Sequence, residues 1–195
     1  MRVTGGIFRG RILRTVNDLS VRPATDRVRQ TLFNMLVNRL DFDGLEVLDL
    51  FAGSGSLGIE ALSRGAARAV FVEGNRQAVE FLERNLDQLG CTDRAEVLSV
   101  DAVAYLAQSG DTFGLVFADP PYGFEATERL PAIAFSRGVV APGGYLLIEH
   151  TTDLCFQETP LYAVGPVKKF GRTVVTFFTE KGFHETTDRD LPRDV

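Results

Sequence analysis

Glu46-Val47-Leu48-Asp49-Leu50-Phe51-Ala52-Gly53-Ser54-Gly55-Ser56-Leu57-Gly58 is the stretch that decides the reading of this chain. A mostly apolar β-type run enters a glycine-rich turn and leaves it into a helix-compatible segment. Gly53, Gly55 and Gly58 satisfy G-x-G-x-x-G, and Glu73 stands 20 residues past Gly53, at the end of the next apolar run. A strand, a tight turn and a helix N-terminus in this order form a nucleotide-type ligand site.

Outward from that stretch the chain alternates. Strands are expected over 46–51, 68–73, 95–99, 115–118 and 145–149, with helices over 57–64, 75–89, 102–108 and 125–137. Several of the strands are nearly continuous apolar runs, as in a parallel sheet covered on both faces. Two β-type runs, 164–170 and 173–180, meet at Gly171-Arg172 and read as a closing antiparallel hairpin. The expected fold is therefore α/β: a doubly wound, mostly parallel, seven-stranded Rossmann-like sheet over residues 41–182. Residues 1–40 read as a basic extension. It is an arm or small hairpin broken by Gly5-Gly6 and Gly10, then a helix from the N-cap candidates Thr25 and Asp26 to about Leu40. Val28, Leu32, Met35, Leu36 and Leu40 make its apolar stripe, with Arg27 and Arg29 outside it. Residues 183–195 read as a polar tail.

The chain has 195 residues and a net charge of −5, which is unevenly spread. Residues 1–40 hold eight Arg against Asp18 and Asp26, a balance of +6, which leaves −11 for the rest. An arginine-rich arm on an acidic body is a local polyanion-binding face, and Arg suits bidentate phosphate contact better than Lys. Arg9, Arg11, Arg22, Arg27 and Arg29 are the expected contacts to a nucleic-acid backbone, with Lys168, Lys169 and Arg172 of the terminal hairpin beside them. No apolar run approaches the length needed to span a bilayer, and the first ten residues lack the apolar core of a secretory signal. Cys91 and Cys155 form no disulfide framework, and His150 and His184 lack companions at metal-ligand spacing. The expectation is a cytoplasmic protein without a metal.

Charge also selects the ligand of the glycine loop. A dinucleotide would set its pyrophosphate on the helix N-terminus, against the carboxylate of Asp49. S-adenosylmethionine carries an ammonium and a sulfonium there, and Asp49 becomes an attractive partner, directly or through water. Phe51, Ala52, Gly53, Ser54 and Gly55 would form the loop around it. Glu73 would accept the ribose hydroxyls. Asp101, at the end of the third strand, would accept from the adenine amine or cap the next helix.

Ala118-Asp119-Pro120-Pro121-Tyr122 follows the fourth strand, which should neighbour the first at the switch point. An exocyclic base amine is a poor nucleophile until it turns pyramidal. Two fixed acceptors for its hydrogens, the Asp119 carboxylate and the Pro120 carbonyl, favour that geometry. Pro120 and Pro121 hold the carbonyl rigidly, and Tyr122 offers a stacking face for the base. Asp119 also faces the methyl donor.

With Asp49–Gly58 and Asp119–Tyr122 in this order, the chain resembles the class I methyltransferases of base amines. More narrowly, it resembles the bacterial 16S ribosomal RNA guanine-N2 methyltransferases. The likeness includes Gly5–Leu13 in the arm, Arg22–Arg29 with Leu32-Phe33-Asn34 in the first helix, Ala61–Ala66 after the glycine loop and Phe170–Thr173 at the terminal turn. It covers about residues 2–180. The resemblance implies a cytoplasmic, monomeric enzyme that uses S-adenosylmethionine and releases S-adenosylhomocysteine. Its target would be the N2 amine of a guanine in 16S rRNA, within the small ribosomal subunit or an assembly intermediate. Tyr122 departs from the family's frequent Phe, and Gly74 stands where an acid close behind Glu73 is common. The competing readings are a DNA base-amine methyltransferase, for which no insertion is long enough to form a target-recognition segment, and a non-catalytic ribosome-assembly factor, against which Asp49 and the intact Asp119–Tyr122 argue.

Overall fold

The computed structural model describes residues 1–15 and 23–182, with only the backbone described at 23–25. Arg22 and the 183–195 tail lie outside the described residues. The elements are α1 (Pro23–Leu36), β1 (Glu46–Leu50), α2 (Ser56–Ser63), β2 (Arg68–Val72), α3 (Arg76–Leu89), β3 (Ala95–Leu98), α4 (Ala102–Gln108), β4 (Phe113–Ala118), α5 (Leu130–Ser136), β5 (Val140–Thr151), β6 (Tyr162–Phe170) and β7 (Thr173–Glu180). The seven strands form one sheet in the order β3-β2-β1-β4-β5-β7-β6. β1 to β5 pair in parallel, and β7 lies antiparallel between β5 and β6. This is the doubly wound α/β sheet expected from the sequence.

Each face of the sheet is covered. Val47, Phe71, Leu115, Phe117 and Phe177 pack under Phe33, Leu36, Ile59, Leu62 and Leu82 of α1, α2 and α3. On the opposite face Leu48, Val70, Val116, Leu146 and Ile148 pack against Leu106, Leu130 and Ala134 of α4 and α5. Apolar side chains alternate to both faces of every central strand, so the strands read as continuous apolar runs. α3 shows the local logic of the helices. The Asn75 side chain accepts from the amides of Gln77 and Ala78 at its start, and Gly90 ends it in the left-handed conformation.

Three segments differ from the sequence expectation. The helix expected over 125–137 is α5, which starts only at Leu130: Thr127–Arg129 form a separate 3-10 turn, and Pro131, which lacks an N–H, sits in the first turn of the helix. α1 starts at Pro23, placing Asp26 in its first turn, because Pro is pre-set for the first helical position and lacks an N–H that would go unused there. It ends at Leu36 instead of Leu40. Asn38 Nδ2 and Arg39 Nη1 donate to the carbonyls of Asn34 and Met35, at 2.9 and 3.0 Å, and side-chain bonds of this kind compete with the helix ladder. β5 begins at Val140, before the expected 145, because Ala141–Gly144 form an irregularity inside the strand and not a break. A Cβ on Gly144 would stand 2.8 Å from the Gly114 carbonyl, so only glycine allows β4 and β5 to close there.

The arm is fastened to α2. Arg2 and Ile12 pair across a small hairpin, and Val3 and Leu13 join the core. Glu60, fully buried, accepts from the Thr4 amide and hydroxyl, both at 2.7 Å. A Cβ on Gly6, whose φ is +71°, would collide with the Ser63 carbonyl. The Gly5-Gly6 pair thus lets the arm backbone lie directly on the end of α2.

Candidate active site at the β1–β4 switch point

The strand order reverses between β1 and β4, where Leu50 and Ala118 are register partners. Ligands of open α/β sheets bind beyond the carboxyl ends of the strands at such a point. The residues that follow, Phe51 and Asp119, are therefore adjacent, and the Asp119 amide donates to the Leu50 carbonyl at 3.4 Å. Phe51 has φ +57°, and it alone among the described non-glycine residues has a positive φ. Such backbone strain is held only where surrounding structure enforces it, commonly at ligand sites. Gly53 and Gly55 continue the turn at φ +55° and +79°. A Cβ on Gly58 would lie 2.3 Å from the Phe71 ring, so the third glycine sets the close approach of α2 to the sheet.

Two cavities meet at Asp119, Pro121 and Phe124. The inner one, about 460 Å³, is lined by Phe51, Glu73, Gly74, Asn75, Asp101, Ala102, Asp119, Pro121 and Phe124. Glu73 Oε2 accepts from the Gly53 amide at 2.8 Å and Oε1 from the Asn75 amide at 2.7 Å. This ties the glycine turn to the end of β2 and leaves each oxygen a further lone pair towards the cavity. Asp101 caps α4, Oδ1 accepting from the Ala104 amide at 2.8 Å, and its other oxygen is uncommitted. Phe51 and Phe124 meet edge to face at 5.1 Å. The lining carries three carboxylates and neither Lys nor Arg. It would repel phosphates and attract a cation.

Asp49 does not line this cavity. It is 2% exposed, and its Oδ2 accepts from the Gly58 amide at 2.8 Å, on the first turn of α2. Burial pushes its carboxyl up to about 8, against the Gly58 bond that lowers it, with the negative charges of Asp119 and Glu73 adding to the rise. The Gly58 bond gives Oδ2 of Asp49 a positioning role for the helix. A cation brought to the loop would lower this value and a phosphate would raise it further.

The outer cavity, about 490 Å³, is lined by Asp119, Pro120, Pro121 and Tyr122, by the Gly123–Glu128 segment, and by Glu149, His150, Thr151, Asp153 and Leu154 beyond β5. Tyr122 is 79% exposed and presents a free ring face. The Asp119 side chain meets the solvent of the cavity, yet the protein surrounds it on most sides, and burial raises its carboxyl to about 6. The sequence pattern singles out neither Glu149 nor Phe124: Glu149 is an acid at the end of an apolar run, and only the pairing of β5 with β4 sets it beside Asp119.

The basic candidates separate. Arg9, Arg11, Arg27, Lys168, Lys169 and Arg172 are exposed, and Arg11 donates to the Gln88 carbonyl at 2.9 Å. Arg29 is not on this face: it is 3% exposed, pairs with Asp26 at 2.8 Å and lies 3.4 Å from Glu60 Oε2. The expected RNA contact at Arg29 is thus corrected to an internal ion pair. The arm folds back over α1 and α2 and covers it. Among the described residues no group of His, Cys, Asp and Glu could hold a metal, and no helix is long and apolar enough to cross a membrane.

A parallel sheet reversing at β1/β4, an acid-lined cavity at the glycine turn and Asp-Pro-Pro-Tyr at the shared wall define a class I methyltransferase architecture. The chain belongs to the family described as conserved hypothetical protein 95, whose model matches residues 1–179 and which includes the ribosomal RNA small subunit methyltransferases D. The protein of that name from Escherichia coli (strain K12) is 39% identical over 153 residues, 78% of this chain and 76% of the relative. YlbH of Bacillus subtilis (strain 168), provisionally named as an rRNA methyltransferase, is 37% identical over 186 residues, 93% of this chain and 100% of the relative. The solved structure of yhhF from Escherichia coli superposes with a TM-score of 0.81 at 33% identity, covering 92% of this chain and 97% of that one.

Proposed function

We propose that this protein transfers a methyl group from S-adenosylmethionine to the exocyclic N2 amine of a guanine in 16S rRNA. In this reading it acts as a monomer, in the cytoplasm, on the small ribosomal subunit or an assembly intermediate. The observation that carries the reading is Asp119 at the wall shared by two cavities, one shaped and charged for a cationic nucleoside and the other open to a base. Isothermal titration tests the first half: S-adenosylhomocysteine binds and NAD does not. The reverse order of affinities would overturn the choice of donor.

The bound donor supplies an electrophilic methyl on a sulfonium. Everything else falls to the chain. Glu73 would offer its remaining lone pairs to the ribose hydroxyls, Asp101 its free oxygen to the adenine amine, and the Phe51–Phe124 pair an apolar wall to the adenine. Across the wall, Tyr122 stacks on the base, worth about 1–3 kcal/mol. The Asp119 carboxylate and the Pro120 carbonyl accept from the two amine hydrogens, which localises the nitrogen lone pair and aims it at the donor. As the N–C bond would form and the methyl–sulfur bond break, with S-adenosylhomocysteine as the leaving group, the amine becomes cationic, and Asp119 is the acceptor for the proton it then loses. Alignment and preorganised acceptors account for the rate.

Replacing Glu73 by Ala removes both the ribose acceptor and the tie to the Gly53 amide. Donor affinity is expected to fall by about 1.5–3 kcal/mol, the range for a hydrogen bond to a charged group. Unchanged affinity by titration calorimetry would show that the ribose is held elsewhere.

The exposed arginines supply the RNA face in this reading. Changing Arg9, Arg11 and Arg27 together to Ser is expected to weaken binding to small-subunit RNA and to make the plot of log K against log salt shallower by roughly 2–3, at about 0.7–0.9 per phosphate contact. Donor binding stays intact. A wild-type slope in filter binding would move the RNA face to Lys168, Lys169 and Arg172.

A further inference from the structure

Beside Asp119 the outer cavity holds a carboxyl from the neighbouring strand that the mechanism above does not use. β4 and β5 pair Ala118 with Ile148, so Asp119, the residue just past the end of β4, and Glu149, the next residue of β5, emerge side by side at the same edge of the sheet. Parallel neighbours stand about 4.8 Å apart. Both residues line the outer cavity, and neither Lys nor Arg lines it with them. The other titratable groups on its wall are Tyr122, Glu125, Glu128, His150 and Asp153. His150 does not serve as a counter-ion. Its ring nitrogens lie 2.8 Å from the Thr151 carbonyl and 2.7 Å from Thr176 Oγ1, and burial lowers its pKa. Two neighbouring carboxyls without a cation cannot both ionise cheaply, and they share a proton. Burial first, and then the charge of Asp119, raises Glu149 to about 8. Asp119, nearer the ordinary carboxylate range, is the one that ionises.

We propose that Glu149 reads the base: its carboxyl meets the N1–H and O6 edge of guanine while Asp119 accepts from the adjacent N2 amine. The inference rests on the guanine-N2 reading above and names the residue that makes it selective. A neutral carboxyl presents an acceptor and a donor in one plane, the complement of a lactam N–H and C=O. Next to its exocyclic amine, guanine carries a donor and then an acceptor, so both bonds form. Adenine and cytosine carry a ring acceptor beside the amine. Adenine leaves the carbonyl oxygen of Glu149 facing a C–H, and cytosine sets an acceptor against it. A site built of buried polar groups rejects a ligand that leaves them unpaired. The side-by-side register also fixes the geometry: the acceptor for the amine and the reader of the neighbouring ring atoms come from adjacent strands of one rigid sheet.

Glutamine at 149 keeps the same pattern, a carbonyl acceptor beside an N–H donor, without the titrating proton. Alanine removes it. The test uses wild type, Glu149→Gln and Glu149→Ala on small subunits isolated from cells lacking this protein. Methylated nucleosides are identified by mass spectrometry, kcat/KM is followed from pH 5 to 9, and S-adenosylhomocysteine affinity is measured by calorimetry. Wild type is expected to give a bell, rising as the first proton leaves the pair near pH 6 and falling as the second leaves near pH 8. Glu149→Gln keeps kcat/KM within about threefold at pH 7 and loses the falling limb. Glu149→Ala lowers kcat/KM by about 10–100-fold, the worth of one two-point base contact, with S-adenosylhomocysteine affinity unchanged. Wild-type activity in Glu149→Ala, or a Gln variant no better than Ala, overturns the proposal while leaving the guanine reading in place. If wild type produces a methylated nucleoside other than N2-methylguanosine, the functional reading fails and this inference with it.

Discussion

Replacing Asp119 by Ala is expected to lower methyl transfer by about 10²–10³, the usual cost of removing a preorganised acceptor from a reacting centre, while S-adenosylhomocysteine affinity stays within a few-fold. Asp119 lies where β4 ends, against the chain that follows β1, and it lines both cavities. In the function proposed above its task is toward the amine, and the donor falls chiefly to Glu73, Asp101 and the turn at Gly53, which the substitution does not touch. Single-turnover transfer of labelled methyl to small-subunit RNA, with calorimetry alongside, separates the two effects. A variant that retains near-wild-type turnover would remove Asp119 from the chemistry. One that loses donor binding in proportion to activity would make it a donor ligand instead.

The second large effect is on stability. Glu60 is fully buried on α2, and four groups converge on it: the Thr4 amide and hydroxyl, Arg64 at 2.9 Å and Arg29 at 3.4 Å. Glu60→Ala leaves the buried Arg29, among the described residues, with Asp26 as its one charged partner and orphans the Thr4 amide. Removing one partner of a buried ion pair costs about 3–5 kcal/mol. At roughly 2–4 °C per kcal/mol for a chain of this size, the melting temperature should drop by about 6–20 °C. The substitution also removes the two Thr4 bonds that help hold the arm on α2, so RNA binding should weaken even at temperatures where the protein remains folded. Glu60 lines neither cavity, and donor binding should persist there. Thermal unfolding with a change below 1 kcal/mol would show that the network is dispensable.

The parts of the molecule that rest on local pattern were legible in the sequence. Strand–helix alternation places β1 to β4 and the helices between them to within a residue or two. Gly171-Arg172 marks the terminal hairpin turn, and the stretch from Asp49 to Gly58 marks the ligand loop. Effects that depend on what packs against a residue were not legible. Arg29 looks like an exposed cation on a helix because its partners are Asp26, nearby, and Glu60, 31 residues away on another helix. The bond between the Gly58 amide and Asp49 does not show in the sequence, because that amide becomes available only when α2 turns back over β1. Ala141–Gly144 carry turn chemistry, yet β4 alongside keeps them in β5. Glu149 gains meaning only from the pairing of β5 with β4, since 30 residues separate it from Asp119.

Nucleoside mass spectrometry of 16S rRNA from cells with and without the protein decides whether this chain methylates N2 of a guanine there. N2-methylguanosine is expected to fall by one equivalent per 16S rRNA when the protein is absent and to return with the wild-type chain but not with Asp119→Ala. An unchanged N2-methylguanosine content, or the loss of a different methylated nucleoside, would overturn the proposed function.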